Sequence, residues 1–308
     1  MCATCGCSEG NVVTVGDAEG HHTHILPDGT VIEHTHAHAD EGHSHSHDHS
    51  HSHSHDHSHS HSHSHDHEHP HAHGHEHGAD ATRTESLEAK VLAKNDRLAE
   101  RNRGWFAGRG VFALNVMSSP GSGKTTLLER TLRELGATSS VVEGDQETDR
   151  DAERLRATGV PVVQVNTGTG CHLEADMVWM GLQALQPESD SVVFIENVGN
   201  LVCPALFDLG EHRRVVLFSI TEGEDKPLKY PHMFRVADLV LITKVDLLPH
   251  LDFDLDEARR SVAAVAPEAR IVEVSTKSGA GLDAWYAWLR EGREAARAGR
   301  SGPTAAPV

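Results

Sequence analysis

The chain has 308 residues and a formal net charge of −19, with 37% hydrophobic and 24% charged residues. Its first 82 residues contain no Lys or Arg, so the remaining chain is only mildly acidic, which argues against nucleic acid as the main partner. No apolar run approaches the roughly 18 residues of a membrane span, and the first residues lack the basic and apolar regions of a signal peptide. We therefore expect a cytoplasmic protein with no membrane contact, whose five cysteines are metal ligands or reduced thiols.

The chain begins with a thiol cluster made of Cys2, Cys5 and Cys7. Three thiols this close together can wrap one soft or borderline metal ion. If Met1 is removed, the free amine and the Cys2 thiolate become adjacent donors, which suits a planar Ni²⁺ site better than a tetrahedral zinc site. The alternative is a reduced cluster without a metal role. We predict a metal-binding motif over residues 1–20.

Most of the 28 histidines lie in one tract that runs from His21 to His77, largely alternating with Ser and Asp. Such a low-complexity segment cannot build a core, so we predict a disordered metal-binding tract over 21–82. Neutral imidazoles bind Ni, Zn, Cu or Co, and this binding should fade below a pH of about 6.5. A polar spacer is the alternative. Within the tract, a Pro-Asp-Gly turn predicts a hairpin over residues 23–34 that brings His24 near His34.

An amphipathic pattern over residues 84–103 predicts a helix that joins the tract to the body. The body then opens with an apolar strand pattern, a Gly/Ser loop and a helical pattern, which is the context of a phosphate-binding loop. Ser118 stands where this motif usually has glycine, and a flexible Gly/Ser turn is the alternative interpretation. The predicted nucleotide-binding residues of the loop are Pro120, Gly121, Ser122, Gly123, Lys124, Thr125 and Thr126.

Strand and helix patterns alternate after this loop. The predicted strands cover 139–143, 160–166, 191–196, 215–220, 239–243 and 270–274, and the predicted helices cover 149–157, 173–185, 254–266 and a segment from 282. We predict an α/β fold in which a mostly parallel sheet has helices on both faces, as in P-loop GTPases, preceded by the disordered His-rich segment. The predicted GTPase domain covers 83–292, and a disordered tail covers 293–308.

Two carboxylates follow strands at the edge where the phosphates should lie. Asp145 and Glu196 are candidates for holding Mg²⁺ or positioning water, with Asp145 preferred beside Thr125 as the Mg²⁺ ligand. Lys124 would reach the β- and γ-phosphates, so the predicted catalytic set is Lys124, Thr125, Asp145 and Glu196. Each carboxylate could instead cap the turn that follows its strand.

A second group of metal ligands is predicted at the same edge. Cys171 and His172 follow a Gly-Thr-Gly turn at a predicted helix start, and Cys203 lies in the loop after Glu196. Three ligands fall short of the four that a closed tetrahedral site needs, which favours a site shared across a dimer. The alternative is buried structural cysteines. His212, His232 and His250 stand alone, and we assign them no metal role.

Lys244 and Asp246 follow the strand at 239–243 in a Thr-Lys-Val-Asp sequence that resembles the guanine-reading motif of GTPases, with Thr243 in place of Asn. A carboxylate at Asp246 accepts hydrogen bonds from guanine N1–H and the 2-amino group, which adenine cannot supply as a pair, so GTP is favoured over ATP. A matching third loop follows the last strand as Ser275, Thr276 and Lys277.

Together, the thiol cluster and the body from about residue 84 resemble the HypB family, GTPases that serve nickel insertion during [NiFe]-hydrogenase maturation. The similarity includes residues 221–231, Thr-Glu-Gly-Glu-Asp-Lys-Pro-Leu-Lys-Tyr-Pro, a string to which we assign no role. The resemblance implies a high-affinity nickel site at Cys2, Cys5 and Cys7 and a Ni/Zn site at Cys171, His172 and Cys203. It also implies GTP-dependent homodimers and transfer to the hydrogenase large subunit with a HypA-type metallochaperone.

The predicted function is thus that of a slow GTPase that binds GTP and Mg²⁺ and drives nickel insertion, with the His tract storing Ni²⁺ or Zn²⁺. One alternative is a nickel or zinc storage protein. Another is a urease-maturation GTPase, although those proteins carry a Cys-Pro-His motif where this chain has Cys171-His172.

Overall fold

The computed structural model of the chain describes residues 12–16, 21–25, 31–35, 78–145, 150–168 and 170–300. The predicted Cys2, Cys5 and Cys7 cluster lies outside these residues. Of the predicted metal-binding tract from His21 to His77, only 21–25 and 31–35 are described, and His77 itself lies outside. Among the described residues, no helix combines the length and the hydrophobicity that crossing a bilayer requires.

Ten strands form one sheet within the described residues, in the order β10-β9-β8-β4-β7-β5-β6-β1-β2-β3. Their bounds in chain order are β1 Val12–Gly16, β2 His21–Ile25, β3 Val31–Thr35, β4 Phe112–Ser118, β5 Ser139–Asp145, β6 Val162–Asn166, β7 Val192–Glu196, β8 Arg213–Ser219, β9 Leu239–Thr243 and β10 Arg270–Val274. Strands β4 to β10 pair in parallel, and β4, β7 and β9 are buried along their whole length. Burial on both faces explains their continuous apolar sequences and confirms the predicted parallel sheet.

Helices cover both faces of the sheet. They are α1 Gly78–Arg109, α2 Lys124–Leu135, α3 Arg150–Arg156, α4 Ala175–Leu185, α5 Lys226–Lys229, α6 Pro231–Arg235, α7 Leu255–Val265 and α8 Leu282–Arg300. Leu128 of α2 and Trp285 of α8 belong to the core on one face. Phe106 of α1 and Met177 of α4 pack on the other, and Phe234 of α6 extends the core beside β8 and β9. The loops at the carboxyl ends of the parallel strands therefore meet along one edge.

The N-terminal strands extend the sheet, and two of them lie within the tract that the sequence predicts to be disordered from His21 to His77. β1 pairs antiparallel with β6, and Val12 lies opposite Asn166. β2 and β3 form the predicted hairpin, but His34 lies opposite His22, and His24 lies opposite Ile32. The pairing of β2 with β3 therefore confirms the predicted hairpin, in which His34 lies opposite a residue two positions from His24.

The last helix continues past residue 292, where the predicted domain ends. Ala296 is buried, and Arg293 donates a hydrogen bond from Nε to the carbonyl oxygen of Asp190 at 2.8 Å. Arg300 forms an ion pair with the Asp190 carboxylate at 3.0 Å. These contacts hold residues 293–300 in α8, so the predicted disordered tail is wrong for that part.

Candidate nucleotide and metal site

The phosphate-binding loop connects the end of β4 to the start of α2 at Lys124. Gly121 and Gly123 have φ values of 77° and 96°, a left-handed conformation that glycine adopts without strain. Lys124 Nζ donates a hydrogen bond to Ser118 Oγ at 3.2 Å. Strand, loop and helix thus take the predicted arrangement, which presents backbone N–H groups at a helix N-terminus, as phosphate binding requires.

A glutamate from another part of the chain contacts this loop. Glu222 Oε1 accepts a hydrogen bond from Ser122 Oγ at 2.6 Å, and Glu222 Oε2 accepts one from Ser119 Oγ. The two serine hydroxyls are also 2.7 Å apart. Glu222 lies in the string over residues 221–231, for which the sequence alone predicts no role.

Buried carboxylates lie beside Thr125, whose Oγ1 donates to Glu196 Oε1 at 2.9 Å. Glu196 and Glu143 are register partners on β7 and β5, and both are buried. Burial raises the pKa of Glu196, although Lys124 and Thr125 partly oppose the rise. Burial and then the Glu196 charge raise the pKa of Glu143.

The Oε2 atoms of Glu143 and Glu196 are buried without a hydrogen-bond partner. Carboxylate and hydroxyl oxygens are the ligands that Mg²⁺ prefers, so this group of side chains fits a magnesium ion beside the phosphates. Asp145 ends β5 at the same edge and is half-buried. Glu143 is not among the residues predicted from the sequence, although its place two residues before Asp145 was a signal.

The loops expected to contact the base also meet the phosphate loop. Thr243 Oγ1 donates to the carbonyl oxygen of Ser122 at 2.8 Å, and Lys244 Nζ donates to that of Gly121 at 2.7 Å. Ser275 Oγ donates to Asp246 Oδ1 at 2.6 Å. The structure therefore brings the two base loops together, with Thr276 and Lys277 following Ser275 at the end of β10. A cleft of about 640 Å³ beside Thr276 is lined by α2 and the start of α8.

The predicted metal ligands Cys171, His172 and Cys203 form a cluster whose ligand atoms all lie within 4.8 Å of one another. Cys171 Sγ is 3.7 Å from His172 Nδ1. His172 is buried and stacks on Phe207, with ring centroids 3.9 Å apart. Burial lowers the pKa of His172 to about 4, so its imidazole is neutral at physiological pH, the form that binds metals.

The surroundings of the cluster hold its chain segment in place. Glu174 Oε1 lies 4.0 Å from His172 Nε2, on the other side of the ring from Nδ1. This separation is too long for a hydrogen bond, and His172 Nε2 is buried without a hydrogen-bond partner. Gly144 of β5 leaves room for Leu173, because a Cβ atom on Gly144 would lie 2.6 Å from Leu173 Cγ.

Asn197 joins the phosphate side of the site to the metal cluster. It follows Glu196 directly, and its Oδ1 accepts hydrogen bonds from the backbone N–H groups of Leu173 at 3.1 Å and Val198 at 3.0 Å. Its Nδ2 donates to Asn115 Oδ1 of β4 at 3.2 Å. Asn197 is also absent from the predicted site residues, and its only signal in the sequence was its place after Glu196.

The chain is similar to known proteins in both sequence and structure. Residues 112–273 match the family described as CobW/HypB/UreG, nucleotide-binding domain. The hydrogenase maturation factor HypB of Escherichia coli strain K12 is 44% identical over 95% of this chain and 99% of that protein. HypB of Azotobacter chroococcum mcd 1 is 53% identical over 71% of this chain and 72% of the relative. The crystal structure of HypB from Helicobacter pylori in complex with nickel has a TM-score of 0.62 and 42% identity, covering 65% of this chain and 95% of that one.

Proposed function

Since the chain belongs to the HypB proteins of the CobW/HypB/UreG family, we propose that it hydrolyses GTP and thereby times the delivery of nickel to a [NiFe]-hydrogenase large subunit. One observation supports this proposal. Buried Asn197, which directly follows Glu196, accepts a hydrogen bond from the backbone N–H of Leu173, the residue after His172, and so links the phosphate side of the site to the segment that carries Cys171 and His172.

Hydrolysis requires that the negative charge on the transferring phosphoryl group be stabilised. Lys124 follows the two glycines of the loop, and its ammonium group supplies one positive charge there. Thr125 together with Asp145 or Glu196 would hold Mg²⁺, which neutralises charge on the β- and γ-phosphates. Glu196 and Asp145 are the candidates for orienting the attacking water. Asp246, held by Ser275, favours guanine over adenine as the base.

The metal cluster suits a nickel ion that is bound and then released. Two thiols and a neutral imidazole bind Ni²⁺ and Zn²⁺ alike. Because three ligands leave the site open, the remaining positions are free for a second copy of the chain or for an accepting protein. We propose a GTP-dependent homodimer and a HypA-type metallochaperone as these partners, with all steps taking place in the cytoplasm.

The N-terminal segments supply nickel in this proposal. Cys2, Cys5 and Cys7 form a tight nickel site, and the tract from His21 to His77 stores Ni²⁺ or Zn²⁺. Storage matters when nickel is scarce, so deletion of the tract should reduce maturation only under that condition.

Substitution of Lys124 tests the proposal. We expect Lys124→Ala to lower GTP turnover by about 100-fold or more, because the transition-state charge loses its nearest cation. Hydrogenase maturation should fail while nickel stays bound at the N-terminal thiols, as measured by phosphate release, hydrogenase activity in cells and native mass spectrometry. The exposed Arg290→Ala is the control.

Unchanged maturation in Lys124→Ala would contradict the proposal. If deletion of residues 21–77 abolished maturation at every nickel concentration while Lys124→Ala did not, the protein would be chiefly a nickel store. Loss of urease activity in place of hydrogenase activity would assign the GTPase to urease maturation.

A further inference from the structure

The string over residues 221–231 begins in a short 3₁₀ helix, Ile220–Glu222, directly after β8. The backbone N–H of Ser219 donates to Glu222 Oε1 at 3.1 Å, and Ser219 Oγ accepts from the N–H of Thr221 at 3.3 Å. This reciprocal cap fixes the turn, so the Glu222 side chain is held in one orientation by its own backbone. The orientation points the carboxylate at the phosphate-binding loop.

We propose that Glu222 is a positioning residue for the phosphate-binding loop, whose carboxylate holds Ser119 and Ser122 and so keeps the loop shaped for nucleotide before nucleotide binds. The inference rests on the proposed nucleotide binding by this loop. It gives a role to a sequence string that the GTPase motifs do not account for.

Two hydrogen bonds between Glu222 and buried serines of the phosphate-binding loop support this role. Glu222 accepts one hydroxyl hydrogen bond on each carboxylate oxygen, from Ser122 and from Ser119. Ser119 and Ser122 are both buried, and only 13% of the Glu222 side chain is exposed. Hydrogen bonds to a carboxylate in such a setting are stronger than those between neutral groups. The loop is therefore anchored at two points, one on each side of Pro120 and Gly121.

The charge of Glu222 is balanced at the same place. Lys226 Nζ lies 3.6 Å from Glu222 Oε2, one helical turn further along the chain. The pair places little net charge beside the phosphates, so the carboxylate can hold the serines without strongly repelling the nucleotide. Loop anchoring of this kind favours binding because less conformational entropy is lost when the ligand arrives.

Glu224 provides a matched control in the same turn. Its Oε1 accepts a hydrogen bond from the backbone N–H of Asp254 at 2.8 Å, before the start of α7. Removing Glu224 thus disturbs the contact between the turn and the residue before α7, and leaves the hydrogen bonds of Glu222 in place. Glu224→Ala therefore shows the effect of a lost contact in residues 221–231 while Glu222 still holds Ser119 and Ser122.

The experiment compares Glu222→Ala, Glu222→Gln, the double variant Ser119→Ala/Ser122→Ala and Glu224→Ala in the full-length protein. Dissociation constants and dissociation rates are measured with fluorescent GDP and GTP analogues, together with kcat and the thermal midpoint without nucleotide. We expect Glu222→Ala to weaken both nucleotides by about tenfold through faster dissociation, with kcat at saturation changed by less than about twofold. Glu222→Gln should lose less, because its carbonyl oxygen still accepts one serine hydrogen bond.

The serine double variant should weaken binding as Glu222→Ala does, and combining the two should add little further loss. Glu224→Ala should lower the thermal midpoint but leave both dissociation constants unchanged. Equal dissociation constants for wild type and Glu222→Ala would overturn the inference. If Glu222→Ala fails to fold, unchanged affinity in Glu222→Gln and in the serine double variant would overturn it. Absence of guanine-nucleotide binding by the wild type would instead refute the proposed function along with it.

Discussion

Ser118 shows why the phosphate loop tolerates a departure from its usual first glycine. Ser118 is not one of the described non-glycine residues that have a positive φ. The backbone at this position therefore does not need the conformational freedom of glycine. Its buried hydroxyl donates to the carbonyl oxygen of Ser119 at 2.7 Å and accepts from Lys124. The serine therefore orients the lysine, and the substitution keeps the loop geometry intact.

His212 gives a prediction about pH at this scale. Its Nδ1 accepts a hydrogen bond from the N–H of Ala113 at 3.2 Å, and burial, followed by the charges of Arg103 and Arg213, lowers its pKa. Because the unfolded chain binds a proton near the ordinary pKa of about 6.5 while the folded chain does not, stability falls as the pH drops below that value.

The measurement is the urea midpoint at about pH 7.5 and about pH 5.5 for wild type and His212→Asn. The asparagine keeps an acceptor for Ala113 but does not titrate, so its midpoint should fall less between the two pH values. An equal fall in both proteins would show that His212 does not carry this pH dependence.

The limit of sequence-based prediction at the residue scale lies in contacts between side chains distant in the chain. Cys171, His172 and Cys203 were predictable, because each follows a strand whose carboxyl end must face the same edge. Glu222 and Asn197 were not, because their partners depend on how a turn is oriented after the sheet has formed. Thr221 and its neighbours show no periodicity that would point to the phosphate loop.

At the scale of elements, the strands were the most predictable part of the fold. β9 and β10 have the predicted bounds, although β9 is buried along its whole length while β10 contains exposed and half-buried residues. The helix bounds were less predictable than the strand bounds. α8 exceeds its predicted domain boundary because Arg293 and Arg300 find a partner in Asp190, which no local pattern encodes.

α1 carries an element-scale prediction through Asn102. This fully buried side chain donates from Nδ2 to the carbonyl oxygens of Ala175 at 2.7 Å and Leu209 at 3.0 Å, joining α1 to α4 and to the loop before β8. We expect Asn102→Ala to lower the free energy of unfolding by about 2 kcal/mol, because two buried carbonyls lose their donor.

Urea unfolding measures this cost, and Arg97→Ala, an exposed position on the same helix, should change the free energy by less than about 0.5 kcal/mol. A loss no greater for Asn102→Ala than for Arg97→Ala would show that α1 does not depend on these two bonds.

At the scale of the whole molecule, nucleotide and nickel should influence each other through Asn197. If they do, the influence must be reciprocal, because thermodynamic linkage requires each ligand to change the affinity of the other by the same factor. With residues 21–77 deleted and Cys2, Cys5 and Cys7 replaced by Ala to isolate the second cluster, we expect nickel affinity to differ by about tenfold between GDP and a non-hydrolysable GTP analogue. In Asn197→Ala this difference should shrink to within about twofold.

Asn95→Ala is the control, because Asn95 also holds the metal segment, accepting from the N–H of Ala175 at 2.9 Å, but it does so from α1. It should weaken nickel binding equally with either nucleotide. Nickel affinities are measured by isothermal titration calorimetry with each nucleotide. If the difference in nickel affinity between the two nucleotides is as large in Asn197→Ala as in the protein with Asn197, this route of coupling is excluded.

Gly144 limits which residues can stand at one position of β5, beside the segment that carries the metal cluster. The Leu173 side chain packs against the backbone of Gly144, closer than a Cβ atom at position 144 would permit. Even a single methyl group would have to displace the leucine, and with it the histidine and the thiol that precede it. A larger residue at position 144 would therefore shift the segment that carries Cys171 and His172, unless Leu173 were replaced by a smaller residue at the same time.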